Sequence, residues 1–470
     1  RAAGNPFFLL EIVDALLERG VLEIRDEGEG RQTLERVDVA GSVVALPSTL
    51  EQLIADRLAE LPRPEQELID WLAVAGGPLQ ERELRQLFGP ETGKALHSLC
   101  ARGLCEVRGD QVDVRHPLTR DVAYRSMDEE PRARMHRAIG ELLAEGPLGQ
   151  GLNAAVVARH LARGGARDRA VELYLEAAGA ARGSYQIPLA TRCYRKVASL
   201  LPADDPRLLE AHEALEAIAR NEGKWRPRRL HLVRLRELAR TSRKGYWIAI
   251  ALLRTARYQL DAGQLAKAQV FAQLGERAAE ASASRILLVQ AQTLLAAVLR
   301  DVGDMQGALV AVDRGLANCE HPQVTARLRA EALMIKGTLL RRVGRVLEAA
   351  EVYAESIAVF QRVGARRMEA RAKSSMAFSM YVLGRVEDGA ALGLDALQID
   401  LAIGGRFQVA KTLSNVGLCY FGAGDYERAM SYLERARESH ERYGEHDSRA
   451  DTLLATAEVL IEQRQLAAAQ

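Results

Sequence analysis

The alternation of apolar and polar residues along the chain predicts amphipathic helices arranged in pairs over its C-terminal half. The clearest pair lies in 411–443, where two helical stretches are joined by the turn Gly422-Ala423-Gly424-Asp425. Small residues at Gly417, Ala429 and Ala436 stand between larger apolar residues, so the two helices can approach closely. A single pair of this size cannot bury its apolar face, and the pattern therefore predicts further copies.

The copies recur with a period of about 40 residues, marked by one turn glycine in each. These glycines are Gly223, Gly263, Gly303, Gly344, Gly384 and Gly424, and Arg464 takes the next place. Seven residues before the turns stand Ala256, Ala296, Gly337, Ala377, Gly417 and Ala457. Five residues after them stand Ala268, Ala308, Ala349, Gly389, Ala429 and Ala469. Twelve residues after them stand Gly275, Gly315, Ser356, Ala396 and Ala436.

These three columns of small residues resemble the tetratricopeptide repeat family, whose helix pairs carry small residues at the same relative positions. The usual period of that family is about 34 residues, so the extra residues here must lengthen the helices or the turns. The resemblance implies a right-handed solenoid of helix pairs with a period near 40, whose first helices line the inner surface. We therefore expect a mostly α protein in which a winged-helix-like α+β module precedes this solenoid.

Composition limits the function classes that need to be considered. The 470 residues carry 64 basic and 63 acidic side chains, a net charge of +1 that argues against nucleic-acid or membrane binding along the whole chain. Five scattered cysteines show no metal-ligand spacing and are typical of free thiols in a reducing compartment. No apolar run is long enough to span a bilayer, so we expect a cytoplasmic protein without a membrane or metal site.

The first 205 residues predict three further regions. Residues 1–46 read as a helix and a hairpin whose strands lie within Val21–Ile24 and Thr33–Val39. Residues 47–127 predict four helices and then two short strands around Gly109-Asp110, the order of a winged helix. Residues 128–205 predict a connector of degenerate helix pairs, which leaves 206–470 for the solenoid. The chain starts with Arg1 and stops inside a repeat, so we expect a fragment of a longer protein.

Two motifs in 1–127 are similar to the lid of signal-transduction ATPases, which place a nucleotide switch before a repeat sensor. The first is Gly4, Asn5 and Pro6 before a leucine-rich helix, and the second is His116 followed by Pro117. The resemblance implies that Pro6 packs on adenine and that His116 reaches the β-phosphate of ADP. Pro117 stands where that family usually has an acid, and His116 as a simple helix cap is the alternative.

The sequence lacks the residues of a complete nucleotide site or of an enzyme. No Gly-x4-Gly-Lys-Ser/Thr loop is present, and the stretch Gly89–Ala95 is one residue short and lacks the hydroxyl. Kinase signatures are absent, and nine scattered histidines support no hydrolase triad. We therefore expect no catalysis and no complete cofactor site in this fragment; ATP or ADP would belong to a parent with an upstream NTPase core.

Two groups of side chains are candidates for binding a protein or peptide. If the first helices line the inner surface, the polar residues Arg371, Ser375, Lys411 and Asn415 fall along one stripe, which suits an extended acidic peptide. The stretch Lys224–Lys244, which includes Arg228 and Arg229, holds nine basic residues against one acid. It could bind an acidic partner, a phosphorylated segment or nucleic acid, or it could be a solvated helix paired with acids nearby.

Three functional hypotheses remain open at this point. The leading one is a regulatory or sensor fragment of a signalling NTPase, in which the solenoid binds a protein, a peptide or a small effector and the lid contributes to a nucleotide switch. The second is a passive scaffold or peptide receptor. The third is a transcription regulator that uses the winged helix, although Arg82 and Arg85 alternate there with Glu81 and Glu83, which makes nucleic acid an unfavourable partner.

Overall fold

The computed structural model of the protein describes Val13, Leu17 and residues 22–26, 32–36, 50–146, 150–403, 406–443 and 449–463. Within these residues the protein is predominantly helical, and the chain divides into two compact units, 1–223 and 224–470. No helix in the described part is both long and apolar enough to cross a membrane. The predicted fold class, mostly α with paired helices, is confirmed.

The first unit begins with the hairpin expected from the sequence. Strands β1 (Leu22–Asp26) and β2 (Gln32–Arg36) pair antiparallel, with Leu22 opposite Arg36 and Asp26 opposite Gln32. The second strand is described up to Arg36. Residues 37–49, which include the predicted end of that strand at Val39, lie outside the described part of the chain.

Residues 50–126 form a small α+β module with one strand that the sequence did not predict. Its elements are α1 (Leu50–Ala59), α2 (Arg63–Ala75), β3 (Leu79–Gln80), α3 (Glu81–Phe88), α4 (Thr92–Ala101), β4 (Cys105–Arg108), β5 (Gln111–Val114) and α5 (Pro117–Ser126). The sheet has the order β3-β5-β4 and is antiparallel. Because β3 is only two residues long, it leaves no periodicity to detect. The winged-helix assignment itself stays a prediction.

Five further α-helices follow in the described part of the first unit. They are α6 (Glu129–Ala144), α7 (Ala154–Arg163), α8 (Arg167–Gly183), α9 (Ile187–Leu200) and α10 (Leu208–Asn221). Consecutive helices pack on each other from α6 to α10. Their core is rich in alanine, and Tyr194 is its largest fully buried side chain.

The second unit consists of helices joined by short turns. They are α11 (Trp225–Ser242), α12 (Gly245–Asp261), α13 (Leu265–Ala281), α14 (Arg285–Val302), α15 (Met305–Asn318), α16 (Ala326–Arg342), α17 (Val346–Arg362), α18 (Arg366–Val382), α19 (Val386–Ala402), α20 (Arg406–Gly422), α21 (Tyr426–Tyr443) and α22 (Arg449–Glu462). In the best-formed pairs both helices have 17 residues and the turns only three, as at 343–345. The long period is therefore taken up mainly by helix length.

The small-residue columns lie where the two helices of a pair touch. A Cβ atom added to Gly337 would stand 2.8 Å from Cε1 of Tyr353, and one added to Gly417 would stand 2.9 Å from Cγ of Leu433. The alanines of these columns from Ala256 to Ala436 are fully buried. All six turn glycines have positive φ, between 68° and 99°, a region that side chains disfavour. The predicted repeat is confirmed for the described residues; Arg464 and Ala469 lie outside them.

Candidate partner-binding surface

The first helices of successive pairs in the second unit lie side by side. Helices α12, α14, α16, α18, α20 and α22 contact each other in sequence, in addition to contacting their own partners. A surface made by these first helices therefore runs across five pairs and the helix that follows them. Side chains at equivalent positions of successive pairs stand next to one another on it. Solenoids present their extended binding surfaces in this way.

A buried ladder of polar side chains fixes α18, α20 and α22 against one another. The Asn415 amide donates to the Ser374 carbonyl at 2.9 Å and to Ser374 Oγ at 3.1 Å, and the Thr412 hydroxyl donates to Ser374 Oγ at 3.1 Å. Between α20 and α22, the hydroxyls of Ser414 and Thr452 are 2.7 Å apart. All five of these residues are buried. Hydrogen bonds that are buried and satisfied in this way give the helices one defined register.

The ladder accounts for Asn415, which the sequence analysis placed in the peptide-binding stripe. Its side chain is only 5% exposed, and its amide nitrogen makes both of the hydrogen bonds to Ser374. We therefore leave it out of the candidate surface. The other three stripe residues remain reachable, because Arg371 and Lys411 are exposed and Ser375 is half-buried.

Lys411 lies in a strongly basic environment on the first helices. Its side chain keeps contact with solvent, yet the surrounding protein removes enough hydration from the ammonium group to lower its pKa. The guanidinium groups of Arg371, Arg341 and Arg300 lower this pKa as well, and only Asp451 opposes them. These cations come from α14, α16, α18 and α20. Residues of four successive first helices thus contribute to one positive region.

The arginines of this region are held in place by their own contacts. The Arg341 guanidinium lies over the Phe378 ring of α18, 4.7 Å from its centroid. Arg300 pairs with its neighbour Asp301 at 2.7 Å. Sequence reasoning missed Arg300 and Arg341 because it looked only at positions nine and thirteen before each turn, whereas both stand three residues before it. Aligning all basic residues against the turn glycines would have found them.

Arg228 and Arg229, the other predicted partner-binding residues, occupy different environments on α11. Arg228 is 3% exposed and pairs with Asp261 at 2.9 Å, and its guanidinium lies near the rings of Trp225 and Tyr258. The positive charge of Arg228 is therefore paired within the second unit. Arg229, the next residue along the helix, is exposed.

The nucleotide-site candidates are only partly visible in the structure. Gly4, Asn5 and Pro6 lie outside the described residues. His116 occupies the residue before α5 and is half-buried, and its side chain makes no capping hydrogen bond to the first turn of that helix. The His116 side chain therefore does not cap α5. Its imidazole lies at the N-terminus of that helix, next to Pro117.

The acidic residues of α3, the helix that would contact DNA in a winged helix, make contacts within this helix or with the residue before it. Arg85 pairs with Glu81 at 2.6 Å, and Glu83 accepts a hydrogen bond from the backbone of Gln80 at 2.8 Å. Only Arg82 is an exposed cation without an ion pair on this eight-residue helix in the described structure.

A buried pair of histidines in the first unit escaped the sequence analysis. His136 Nδ1 and His160 Nδ1 are 2.9 Å apart, and the Tyr124 hydroxyl is 2.9 Å from His136 Nε2. Burial lowers the pKa of His136 to about 4 and that of His160 to about 3, and nearby arginines add to both effects. The imidazoles are therefore neutral at pH 7 and join α5, α6 and α7 through one hydrogen-bonded chain. Histidines 24 residues apart gave no sequence signal of this contact.

A buried carboxylate in the second unit also escaped notice. Asp400 is 1% exposed, and neither of its side-chain oxygens has a hydrogen-bond partner among the described residues. Burial raises its pKa to about 6, against the opposing charge of Arg367. One period earlier, the same position is Phe360, which is fully buried. The repeat register would have identified Asp400 as a charge in a core position.

A profile described as tetratricopeptide repeat matches residues 368–442 and 408–470. No curated protein sequence is significantly similar to the chain. Among solved structures, a signal-transduction ATPase with a tetratricopeptide repeat sensor from Pyrococcus horikoshii superimposes with a TM-score of 0.57 at 14% identity, covering 89% of this chain and 63% of its own. This chain thus spans less than two thirds of that protein.

Two further solved structures are similar over part of the chain. A Rap protein in complex with competence and sporulation factor has a TM-score of 0.47 at 14% identity, covering 64% of this chain and 94% of its own. Aspartyl phosphate phosphatase F from Bacillus subtilis has a TM-score of 0.45 at 14% identity, covering 73% and 86%. Similarity at this level carries no argument about the function of the chain. Residues 368–470 match the tetratricopeptide repeat family, and the described helix pairs of the second unit that precede them repeat the same arrangement.

Proposed function

We propose that this protein is a regulatory or sensor fragment whose solenoid binds an extended acidic segment of a protein or peptide. The observation that carries the proposal is the basic region around Lys411, Arg371 and Arg341 on adjacent first helices. An acidic chain laid across it would form charge-assisted hydrogen bonds, which are stronger than those between neutral groups. Fixed helices reduce the ordering cost of binding, because the cations are already in position.

The test is binding of a fluorescein-labelled oligoglutamate peptide, with the matched oligoglutamine peptide as the uncharged probe. We expect the acidic peptide to bind in low salt and the affinity of an R371E/K411E variant to fall by a factor of about ten or more. The matched control is Arg385→Glu, which reverses an exposed arginine at the start of α19 that is paired with Asp388. Equal loss in both variants, or no binding by the unaltered chain, would contradict the proposal.

We propose a nucleotide switch as a second function, which a longer chain with an NTPase core would complete. It is supported by His116 at the N-terminus of α5, where backbone N–H groups and the helix dipole favour an anion. The similarity in fold to a signal-transduction ATPase agrees with this role. In such a protein, ADP would favour one of two states and the solenoid would bias the same equilibrium.

The measurement for this second function is ADP affinity of a protein that joins the chain to a nucleotide-binding core. We expect His116→Ala to weaken ADP binding, whereas exchange of the exposed Ser126 for Ala at the other end of α5 should leave it unchanged. Binding that is indifferent to His116 would exclude the switch and leave the peptide-binding proposal intact. A passive scaffold would then be the better description of the first unit.

A further inference from the structure

Helix α11 carries a set of exposed cations that the surrounding structure does not neutralise. Six of the basic residues in 224–244 are exposed and have no ion pair within the described residues: Arg226, Arg229, Arg236, Arg240, Arg243 and Lys244. The one acid of the helix, Glu237, pairs with Arg234 at 2.7 Å. This leaves a local excess of positive charge in a chain that is close to neutral overall.

These cations follow one face of the helix. Arg226, Arg229, Arg236 and Arg240 are separated by three, seven and four residues, spacings that return to the same side of an α-helix. Val233 stands between them at the same period. The opposite face is buried and includes Leu232, Leu235, Leu238 and Ala239. The arginine stripe is therefore exposed to solvent, and the Arg236 guanidinium also lies over the Phe271 ring of α13, 5.6 Å from its centroid.

The stripe is unfavourable for the isolated helix. Arg226 and Arg229 lie in or near its first turn, which contains no acid, and cations there are repelled by the helix dipole. Like charges four residues apart, as in Arg236 and Arg240, destabilise a helix further. The stripe therefore lowers the stability of α11 unless an anionic partner is bound.

Several exposed arginines elsewhere in the second unit are paired. Arg345 pairs with Glu348, Arg385 with Asp388 and Arg437 with Glu441, at 2.9 Å or less. Exposed arginines without an ion pair within the described residues also occur on other helices, as Arg342 and Arg362 do, whereas α11 carries four of them along one face.

Exposed apolar side chains accompany the stripe and indicate the class of partner. Trp225 is 46% exposed, Leu230 61% and Val233 44%. A protein interface gains from burying such side chains under a charged rim, whereas a nucleic-acid backbone interacts mainly with the charges. A partner helix with acids at a heptad-like spacing would meet the stripe along its length, about 27 Å for 18 residues.

We infer that α11 is a docking surface for an acidic amphipathic helix of a partner protein. The arginine stripe pairs with the acids of that helix, and Val233, Leu230 and Trp225 pack against its apolar residues. This surface is separate from the first-helix surface around Lys411, so each proposal can fail without the other.

The probe is a synthetic amphipathic peptide about three heptads long, with leucine on one face and glutamate on the flanking positions. A second peptide carries glutamine in place of every glutamate. Affinity is measured by fluorescence anisotropy at two salt concentrations for the unaltered chain and for an R229E/R240E variant. The control variant is R345E/R437E, which reverses the same number of exposed arginines, and a circular-dichroism melt establishes that each variant folds.

We expect the acidic peptide to bind more tightly than the glutamine peptide and to lose at least about tenfold in affinity in the R229E/R240E variant. The R345E/R437E and R371E/K411E variants should stay within about twofold of the unaltered chain. Tighter binding of a 20-base-pair DNA duplex or of anionic vesicles than of the peptide would overturn the inference, as would equal loss in the control variant. Should R229E/R240E unfold, the milder R229Q/R240Q variant gives the same comparison.

Discussion

Helix pairs in the two units are held together by different means. In the second unit, small residues recur every 40 residues or so and let each pair approach to van der Waals contact, as Gly337 does against Tyr353. In the first unit, α6 and α7 contact through Gly140 and Leu161, but they are also joined by the buried chain of His136, His160 and Tyr124. A repeated sequence pattern therefore identifies only the helix pairs that carry it. A pair that packs equally closely, such as α6 and α7, can instead depend on residues that do not recur.

The strongest test of the small-residue columns is Gly337→Ala. The new Cβ would stand 2.8 Å from the Tyr353 ring, which is fully buried and whose hydroxyl is 3.0 Å from Thr338 Oγ1, so the ring cannot move aside. We expect the free energy of unfolding to fall by about 3 kcal/mol. Urea unfolding followed by circular dichroism, with hydrogen exchange of α16 and α17 to localise the effect, measures it.

The matched control for that variant is Gly179→Ala on α8. A Cβ there meets nothing within 4 Å, and its backbone is helical. This exchange should raise stability by about 0.5–1 kcal/mol, because alanine loses less backbone entropy than glycine. If both variants destabilise the protein alike, the small residue at position 337 is not needed for the close approach of α16 and α17.

The histidine chain of the first unit is tested by His160→Leu. The exchange leaves His136 Nδ1 without its partner in a buried site, and we expect a loss of about 2 kcal/mol. A double-mutant cycle with His136→Leu should show strong coupling, since the two exchanges remove the same hydrogen bond. Additive losses would mean that the imidazoles act as independent core residues.

The same histidines predict how stability depends on pH. Their pKa values are lowered in the folded state, to about 4 and about 3, so between these values and about 6.5 the unfolded chain binds more protons. Their contribution is therefore complete above pH 6.5 and is lost as the pH falls toward 3. A chain with both histidines replaced by leucine should show a shallower decline in melting temperature over this range.

Asp400 predicts the opposite dependence in the second unit. Its pKa of about 6 lies above the value of an exposed aspartate, so the folded state binds more protons between about pH 4 and pH 6. The carboxylate therefore costs stability at pH 8, and this cost disappears as the pH falls. Asp400→Asn should raise the free energy of unfolding by on the order of 1–2 kcal/mol at pH 8 and by much less at pH 5. An equal gain at both pH values would show that the charge is not responsible.

The smallest effect compares paired and unpaired surface arginines. Arg345→Gln removes an exposed pair with Glu348 and should lower stability only slightly, because solvent screens the pair. Arg229→Gln removes a repelled charge near the start of α11 and should leave stability unchanged or raise it by a similar amount. Thermal melts of the two variants at low salt measure the difference, which should shrink at high salt. A loss in both would mean that the α11 stripe is neutralised in the free protein.

The sequence alone determined the helix pairs, their period and their turn positions, because these depend on local rules. Glycine at a positive φ and a small residue where two helices touch leave a signal at fixed intervals, and Gly344 and Gly337 are examples. It also placed Pro117 at the start of α5, since proline fits the first turn of a helix.

Only the tertiary structure decided which polar residues remain available for binding. Asn415 and Lys411 stand one turn apart on α20, yet they differ in their contacts. The Asn415 amide is hydrogen-bonded to Ser374, whereas Lys411 lies among cations from three other helices. Arg228 and Arg229 are neighbours in sequence, yet one is buried against Asp261 and the other faces solvent. Residue type sets the chemistry that a side chain can perform, whereas its partners come from helices many residues away.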